Sequence, residues 1–453
     1  MSSGLAEWRK NTQQRNQLIS ELAKREGTRE GLLEAYPRFL DEVEAAAAAK
    51  EEEASKVVSS TTVGVKRDRD VPTKAVDATT TPQTEVSTPS GPFSPSGSCV
   101  DPDYQGRSYL HPPSTISASD AIRPGSKACR VPKRPAFVCN GQGAGINTMR
   151  WALPHSQLVF AGDLKGTVKV WNVSSGAACK DPRATFNSHQ LPLSGLCVAN
   201  EGRMLTTGSQ DGLVRVWDTE GCEMLRSCAY GKAGGTRLVG CGAHMIHPEN
   251  RSLLVASFDK HICMFDLREP SKGGEEGTPP VSRLYHGSMG AVMSMDWVDR
   301  NGNVFVSSST DKSIRTWDFR VATQIKQFVD PAMQAASYVV KHPHDSSLAA
   351  QCLDDTIRKI TLDAGGKMKL HRDQVLSGHS VSGTSCELSF SPDGQFVSTG
   401  DATGKLLVWN WSTGDLVKQF PAHKQVCTTH LWHNIEPSRI VTSSWDGVIK
   451  SWV

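Results

Sequence analysis

The C-terminal part of the chain consists of short stretches in which apolar and polar residues alternate. One of them is VFVSSSTDKSIRTWD, at Val304–Asp318. Its two alternating halves flank turn residues at Ser309–Lys312, and it closes on Trp317. Alternation with period two on both sides of a turn predicts a β-hairpin. A single hairpin cannot bury both of its faces, so the stretch predicts further copies of itself in the chain.

The pattern occurs seven times, and the differences between the residue numbers of the closing positions are 43 to 52. The closing residues are Trp171, Trp217, Phe265, Trp317, Ile360, Trp409 and Trp452. Six residues before each of them lies a turn residue: Lys165, Asp211, Asp259, Asp311, Asp354, Thr403 and Asp446. An Asp at that point can accept hydrogen bonds from the turn backbone. A repeat of this length that closes on Trp is typical of a propeller blade.

Further polar residues recur at fixed places in the copies. A His opens four of them: His189, His286, His379 and His423. A hydroxyl residue precedes the turn in three: Thr207, Ser307 and Thr442. In these features the chain resembles the WD40 family. The resemblance implies a His–Ser/Thr–Asp–Trp hydrogen-bond network that locks each blade, and weaker locking in the third and fifth copies. We therefore predict an all-β fold, a seven-bladed WD40 β-propeller over residues 133–453.

The seventh copy has no strand after its closing Trp452. The sequence RPAFVC at Arg134–Cys139 reads as a strand that belongs to no copy. We expect this strand to complete the seventh blade, because that pairing closes the ring and removes a free sheet edge.

The N-terminal extension is predicted to be helical and then disordered. In residues 1–56, apolar residues such as Leu18 and Leu22 recur at helical spacing, interrupted at Gly27 and Pro37. This segment is either a solvated amphipathic region or a docking helix that folds on a partner. Residues 57–99 are rich in Ser, Thr and Pro and bury too little apolar surface to fold, which predicts a linker.

Residues 100–132 are interpreted as an extended strap, because DYQGRSYLHPP at Asp103–Pro113 concentrates aromatic side chains. Two interpretations stay open. Tyr104, Tyr109 and Leu110 can anchor in a partner's groove while Arg107 pairs with an acid. Alternatively, the same residues fold onto the propeller's own surface.

Composition narrows the function classes. A net charge of +3 is too small to indicate a nucleic-acid surface by itself. The 12 Cys include no CxxC pair, and residues such as Cys263 and Cys427 are expected to be small buried apolar side chains in a reducing compartment. No apolar run is long enough for a membrane span and no signal sequence begins the chain, so a soluble intracellular protein is expected.

Two stretches look chemical but are explained otherwise. GQGAG, at Gly141–Gly145, lacks the Lys-Ser/Thr and the helix of a phosphate loop. Cys241, His244 and His247 have ligand-like spacing but no second pair nearby. No nucleophile and base set remains once the repeat positions are assigned. We therefore expect a non-enzyme with no cofactor, no metal and no small-molecule substrate.

Three parts of the chain resemble a family of WD40 splicing factors that act at the second catalytic step. They are the strap at Asp103–Pro113, the sixth copy at Ser377–Trp411 and the last copy at Phe420–Trp452. The degenerate fifth copy, which lacks its Trp, also agrees. The first ~95 residues show no such match.

The resemblance implies a non-enzymatic nuclear subunit of the spliceosome that supports exon ligation as a docking scaffold. Its partners would be core spliceosomal proteins, with snRNA or pre-mRNA nearby and the chain monomeric within a large assembly. From the residues alone, the mechanism is multivalent docking through ring loops and a tethered arm. The alternatives are a WD40 substrate receptor of a ubiquitin ligase, with residues 1–56 as adaptor contact, and a scaffold of another nuclear RNA-processing particle.

Overall fold

A computed structural model describes residues 94–100, 108–111, 128–173, 181–229, 241–268, 281–363, 366–381 and 383–453. The predicted helical segment 1–56 and most of the predicted linker lie outside these residues. Within the described residues the chain forms seven antiparallel sheets arranged as the blades of a propeller, which confirms the predicted fold class.

The strands follow the repeats. Two precede the first repeat: β1 (Ser96–Cys99) and β2 (Pro135–Cys139). Blade one contains β3 (Ile146–Trp151), β4 (Leu158–Asp163), β5 (Thr167–Asn172) and β6 (Ala184–Asn187). Blade two contains β7 (Leu193–Ala199), β8 (Met204–Ser209), β9 (Leu213–Asp218) and β10 (Glu223–Ala229), with a short 3-10 helix at Asn200–Gly202. Blade three contains β11 (Cys241–Ile246), β12 (Ser252–Ser257), β13 (Ile262–Asp266) and β14 (Val281–Tyr285).

The remaining blades have the same order. Blade four contains β15 (Val292–Trp297), β16 (Val304–Ser309), β17 (Ser313–Asp318) and β18 (Thr323–Val329). Blade five contains β19 (Ala336–Lys341), β20 (Ser347–Cys352), β21 (Thr356–Leu362) and β22 (Met368–Ser377). Blade six contains β23 (Leu388–Phe390), β24 (Phe396–Gly400), β25 (Lys405–Asn410) and β26 (Leu416–Pro421). Blade seven contains β27 (Cys427–Trp432), β28 (Ile440–Ser444) and β29 (Ile449–Trp452).

The two faces of the ring follow from this topology. Because successive strands of a blade are antiparallel, the turns between second and third strands all lie on one face, named here the turn face. The loops between first and second strands, and between third and fourth strands, lie on the opposite face, named here the loop face. The Asp turns predicted from the repeats therefore belong to the turn face.

The second strand of each blade is the most buried. In β12 every residue of SLLVAS is buried, whereas the outer strand β18 is mostly exposed. Neighbouring blades cover both faces of the second strand, so both of its side-chain rows meet apolar surface. Phe186 of blade one, for example, packs edge-on against Trp217 of blade two with ring centroids 5.6 Å apart. The core therefore lies between blades.

The predicted ring closure is confirmed. Strand β2 pairs antiparallel with β29, with Pro135 opposite Trp452 and Val138 opposite Lys450. Two further hydrogen bonds join Arg134 and Val453, at 2.9 and 3.0 Å. The first part of the propeller thus supplies the outer strand of the last blade, and the ring has no open junction there.

Strand β1 was not expected. The predicted linker over residues 57–99 ends in this strand, which pairs with β6 and gives blade one a fifth strand. Its sequence, SGSC, has no alternation of apolar and polar residues that could have marked a strand, and its side chains are exposed. The stabilising contribution is backbone pairing to the free edge of β6, which composition does not report.

Two other expectations can be compared with the structure. Cys263 and Cys427 are buried and outside disulfides, as expected, whereas Cys139 is disulfide-bonded and departs from the expectation. Among the described residues, no helix has the length and apolar character needed to cross a bilayer.

Candidate functional site

Part of the strap lies on the loop face, where blades one and two meet. The Tyr109 hydroxyl donates a hydrogen bond to the carbonyl oxygen of Thr219 at 2.5 Å. Gln157 Nε2 donates to the carbonyl oxygens of Leu110 and His111, at 3.0 and 3.1 Å. Tyr109 and Leu110 also pack against the apolar cluster between these blades, and burial raises the pKa of Tyr109 above its ordinary value. Of the two strap interpretations, these contacts favour the fold onto the chain's own surface.

The other two strap candidates, Tyr104 and Arg107, lie outside the described residues. Their role in partner binding stays a prediction.

Blades two and seven contain the complete predicted network. In blade two, His189 Nδ1 lies 2.7 Å from Asp211 Oδ2 and Nε2 lies 2.9 Å from Thr207 Oγ1. Trp217 Nε1 donates to the same hydroxyl at 3.2 Å. Burial lowers the pKa of His189, so its imidazole is held neutral between two hydrogen-bond partners. The network links the turn to the closing strand of the blade.

Blade seven repeats this geometry. His423 Nδ1 lies 3.2 Å from Asp446 Oδ2, and Nε2 lies 2.8 Å from Thr442 Oγ1. Trp452 Nε1 donates to the Thr442 hydroxyl at 3.0 Å. The closing Trp452 belongs to β29, which also carries the pairing with β2, so the lock and the ring closure share a strand.

Blade one has a different network in the same place. Trp171 Nε1 donates to Gln142 Oε1 at 3.1 Å, and Gln142 Nε2 lies 3.4 Å from Asp163 Oδ2. Asp163 Oδ1 accepts the backbone N–H groups of Lys165 and Thr167, at 2.9 and 2.8 Å. The GQGAG sequence therefore supplies the residue that replaces the His, a role that sequence reasoning missed.

Blade six shares this shift of the Asp. Asp401 Oδ1 accepts the backbone N–H groups of Thr403 and Lys405, at 2.9 and 2.8 Å. The Thr403 hydroxyl lies 2.8 Å from both oxygens of Asp401. The repeat has Thr403 at the turn position, but an Asp lies two residues earlier. A carboxylate on that side of the turn reaches the same backbone amides.

Two of the predicted opening His residues are outside any lock. His286 Nδ1 lies 3.2 Å from His261 Nδ1 on the surface. In its blade, Asp311 Oδ2 is occupied by Arg315 at 2.9 Å, while Trp317 still reaches the Ser307 hydroxyl at 2.9 Å.

The second is in blade six. Both ring nitrogens of His379 lack a hydrogen-bond partner, and the ring packs edge-on against Trp409 at 5.5 Å. Thr403 occupies the position at which a lock has its Asp, so among the described residues the carboxylates of Asp355, Asp401 and Asp354 act on this imidazole without a hydrogen bond to it.

Blades three and five lack the indole, as the sequence indicated. Among the described residues, the Asp259 carboxylate accepts one hydrogen bond, from the His261 backbone N–H to Oδ1 at 3.3 Å. Asp354 accepts the Thr356 hydroxyl at 2.6 Å and lies 3.5 Å from Arg358. Each Asp therefore shapes its own turn without reaching the closing strand's end, which is Phe265 or Ile360.

A second set of His residues, on the loop face, joins one blade to the next. His247 follows the first strand of blade three. Its ring stacks on Phe319 at 4.5 Å and meets Trp297 of blade four edge-on at 5.3 Å. His433 of blade seven meets Trp151 of blade one at 5.1 Å. Burial lowers the pKa of His433 to about 4, so it is neutral at pH 7. In the sequence, these contacts are marked only by the position of each His directly after the first strand of its blade.

The predicted ligand-like trio has separate partners. Cys241 Sγ lies 4.0 Å from His244 Nδ1, and His244 Nε2 lies 3.2 Å from the Thr206 carbonyl oxygen. His247 belongs to the loop-face contacts. Among the described residues no group of three or more His, Cys, Asp or Glu side chains is arranged to hold a metal ion.

The central channel contains a salt bridge between blades that are not neighbours. Arg150 of β3 binds Glu387, which precedes β23, through Nη1–Oε2 at 2.6 Å and Nη2–Oε1 at 3.1 Å. This pair, named here the strut, and Tyr338 border two cavities. One of about 340 Å³ is lined by turn-face residues such as Trp445, and one of about 520 Å³ is lined by loop-face residues such as Leu153. The strut was not expected from the sequence, because its partners are 237 residues apart.

The repeats also match a known family model. The model described as WD domain, G-beta repeat, matches residues 133–172, 180–218, 279–318, 371–410 and 414–452. The chain is a WD40-repeat protein. The closing strands of blades three and five lie outside these matches, in agreement with the incomplete locks there.

Several curated proteins are similar to this WD40-repeat protein. Pre-mRNA-processing factor 17 of Homo sapiens and of Mus musculus are each 30% identical over 351 residues, 77% of this chain and 57% of theirs. Pre-mRNA-processing factor 17 of Saccharomyces cerevisiae is 27% identical over 354 residues, 77% of this chain and 72% of its own. The chain thus spans a little over half the length of the mammalian relatives. The resemblance inferred from the strap and the last two copies is confirmed.

Proposed function

We propose that this WD40-repeat protein is a non-enzymatic docking subunit of the spliceosome that supports the second catalytic step, exon ligation. The observation that carries the proposal is the similarity to three proteins named Pre-mRNA-processing factor 17 over 77% of the chain. The chain would act in the nucleus, in contact with core spliceosomal proteins and close to snRNA or pre-mRNA.

The structure supports a docking mechanism. The ring is held by locks in two blades, by loop-face aromatic contacts and by closure through β2. A rigid ring loses little entropy when several of its loops bind at once. Tyr109 fixes part of the strap on the loop face, so contacts made there and by the ring loops can act together at high effective concentration.

The test is affinity purification of the tagged full-length chain from nuclear extract, followed by mass spectrometry. Spliceosomal proteins are expected, and recovery of a cullin adaptor in their place would contradict the proposal and favour the ubiquitin-ligase alternative. Depletion of the protein from a splicing extract should leave cleaved 5′ exon and lariat–3′ exon intermediate, which the added protein converts to ligated exons. Accumulation of unspliced precursor alone would contradict a role in exon ligation.

A further inference from the structure

The loop-face cavity has more positive than negative side chains on its wall. Arg150, Arg300 and Lys341 face a single carboxylate, Glu387, and Arg150 already binds that carboxylate in the strut. Lys341 Nζ donates to the carbonyl oxygens of His342, at 2.8 Å, and of Asp345. Arg300 is exposed and forms no ion pair with any described residue. Two of the three cations therefore retain their charge toward the cavity.

Two further acids act on Lys341 without lining the cavity. The buried Asp296 carboxylate accepts the backbone N–H groups of Lys341 and Trp297, at 2.7 and 2.8 Å. Asp345 is 68% exposed at the rim, with its carboxylate 3.8 Å from His342 Nδ1. The lining of the cavity itself therefore has three cations and one carboxylate, which favours an anionic group there.

Apolar residues also line the cavity. Leu153, which is 48% exposed, belongs to the lining together with Pro343, Pro392 and Phe390. A volume of about 520 Å³ lies in the range of sites that hold a ligand or a few side chains. Cations and apolar residues in one lining fit a short segment in which a carboxylate follows or precedes an apolar residue. A nucleic acid would instead need positive charge along the surface and not inside a pocket.

We propose that the loop-face cavity is a docking pocket for an acidic peptide segment of a partner protein. One carboxylate of the segment binds Lys341 and Arg300, and an adjacent apolar side chain packs on Leu153. This inference rests on the proposed function, because it specifies the kind of partner segment that the docking subunit binds. Tyr109 and Leu110 of the strap lie on the same face, at blades one and two.

The test is fluorescence anisotropy of the full-length chain with a fluorescein-labelled peptide of about ten residues, in which Glu and Asp alternate with Leu. Arg300→Gln and Lys341→Gln should each weaken peptide binding about tenfold or more, because each removes a charge-assisted hydrogen bond. Arg251→Gln is the matched control, since Arg251 is an exposed cation of the loop face (59%) away from the cavity. Because Lys341 also braces its loop, Arg300→Gln and Leu153→Ser keep the test valid if Lys341→Gln unfolds.

The outcomes separate clearly. Equal affinity for a peptide with Gln and Asn in place of its acids, or equal losses in Arg251→Gln, would overturn the proposal. Tighter binding of single-stranded oligouridylate, lost in Arg300→Gln, would also overturn it in favour of RNA. Peptide binding through the cavity by a chain that recovers no spliceosomal proteins would refute the proposed function and leave this inference intact. Normal recovery of those proteins without peptide binding would do the reverse.

Discussion

Blades two and seven differ from blades three and five in how their turns are connected to their closing strands. In blade two, His189 joins Asp211 to the hydroxyl that Trp217 also contacts. In blade three the closing residue is Phe265, which is fully buried but has no polar atom to offer. Both blades form, so the hydrogen-bond lock is an addition to packing between blades and not a condition for the fold.

The difference is offset on the other face. His247 and His342 lie on the loop face of the two unlocked blades, and each reaches into the following blade. His342 Nε2 lies 3.0 Å from the Gly394 carbonyl oxygen, and its ring packs edge-on against Phe390 at 5.0 Å. The unlocked blades are therefore held through the blade after them, whereas blade two has its lock, and blade seven has both its lock and the His433 contact with Trp151 of blade one. This suggests that a lost lock and a lost loop-face contact act on different parts of the ring.

The largest expected effect comes from opening the ring at the locked blade seven. Deletion of residues 134–139 removes the strand that pairs with β29. We expect this to lower the melting temperature by more than about 10 °C. At ~2–4 °C per kcal/mol, that shift corresponds to a loss of several kcal/mol in the free energy of unfolding. Deletion of β1 (residues 96–99) is the control, because blade one keeps four strands without it. Equal melting temperatures for both deletions would contradict the importance of closure.

The strap should contribute next. Tyr109→Ala is expected to cost about 3 kcal/mol in urea unfolding, because it truncates a large side chain packed between blades one and two. Tyr109→Phe removes only the hydrogen bond to Thr219 and should cost about 1 kcal/mol. If Tyr109→Ala leaves the free energy of unfolding unchanged, the partner-docking interpretation of the strap would be favoured instead.

Acid should weaken the loop-face contacts. The folded pKa of His433 is about 4, below its ordinary value of 6.5, so the folded state favours the neutral imidazole. Its contribution is fully present above pH 6.5 and is lost as the pH falls toward 4, by about 2 kcal/mol at pH 5. The difference between the free energies of unfolding at pH 7 and pH 5, measured by urea titration, should be smaller in His433→Asn than in the unchanged protein. His286→Asn, which changes an exposed His, is the control and should keep the full pH dependence. If His433→Asn keeps it as well, His433 is not the responsible group.

The Asp turns test the lock itself. Asp211→Ala should cost about 1–3 kcal/mol, because it leaves His189 without one partner inside the blade. Asp259→Ala should cost less than about 1 kcal/mol, since only one long backbone hydrogen bond is lost. Similar losses in the two variants would show that the Asp acts through its turn and that the network adds nothing.

The repeats allowed the blade number and the ring closure to be predicted, because both depend on periodic apolar positions that alternate within each copy. The polar replacements could not be predicted in the same way. Gln142 precedes its partner Trp171 by 29 residues in a Gly-rich loop, and nothing in that loop marks it as a substitute for His. The strut joins positions that only the closed ring brings together. Periodicity therefore reports the packing, while these contacts depend on the three-dimensional arrangement of the blades.

The smallest expected effect distinguishes a shifted Asp from a missing one. In blade six, Asp401 holds two backbone N–H groups and the Thr403 hydroxyl, so it does from two residues earlier what Asp211 does for its turn. Asp401→Ala should therefore cost about 1–2 kcal/mol, as loss of a locking turn does. Thr403→Ala should cost about 0.5–1 kcal/mol, because the backbone hydrogen bonds to Asp401 remain. Equilibrium urea unfolding of both variants gives the comparison. If Thr403→Ala is the more damaging, the hydroxyl and not the carboxylate organises this turn, and blade six belongs with the unlocked blades.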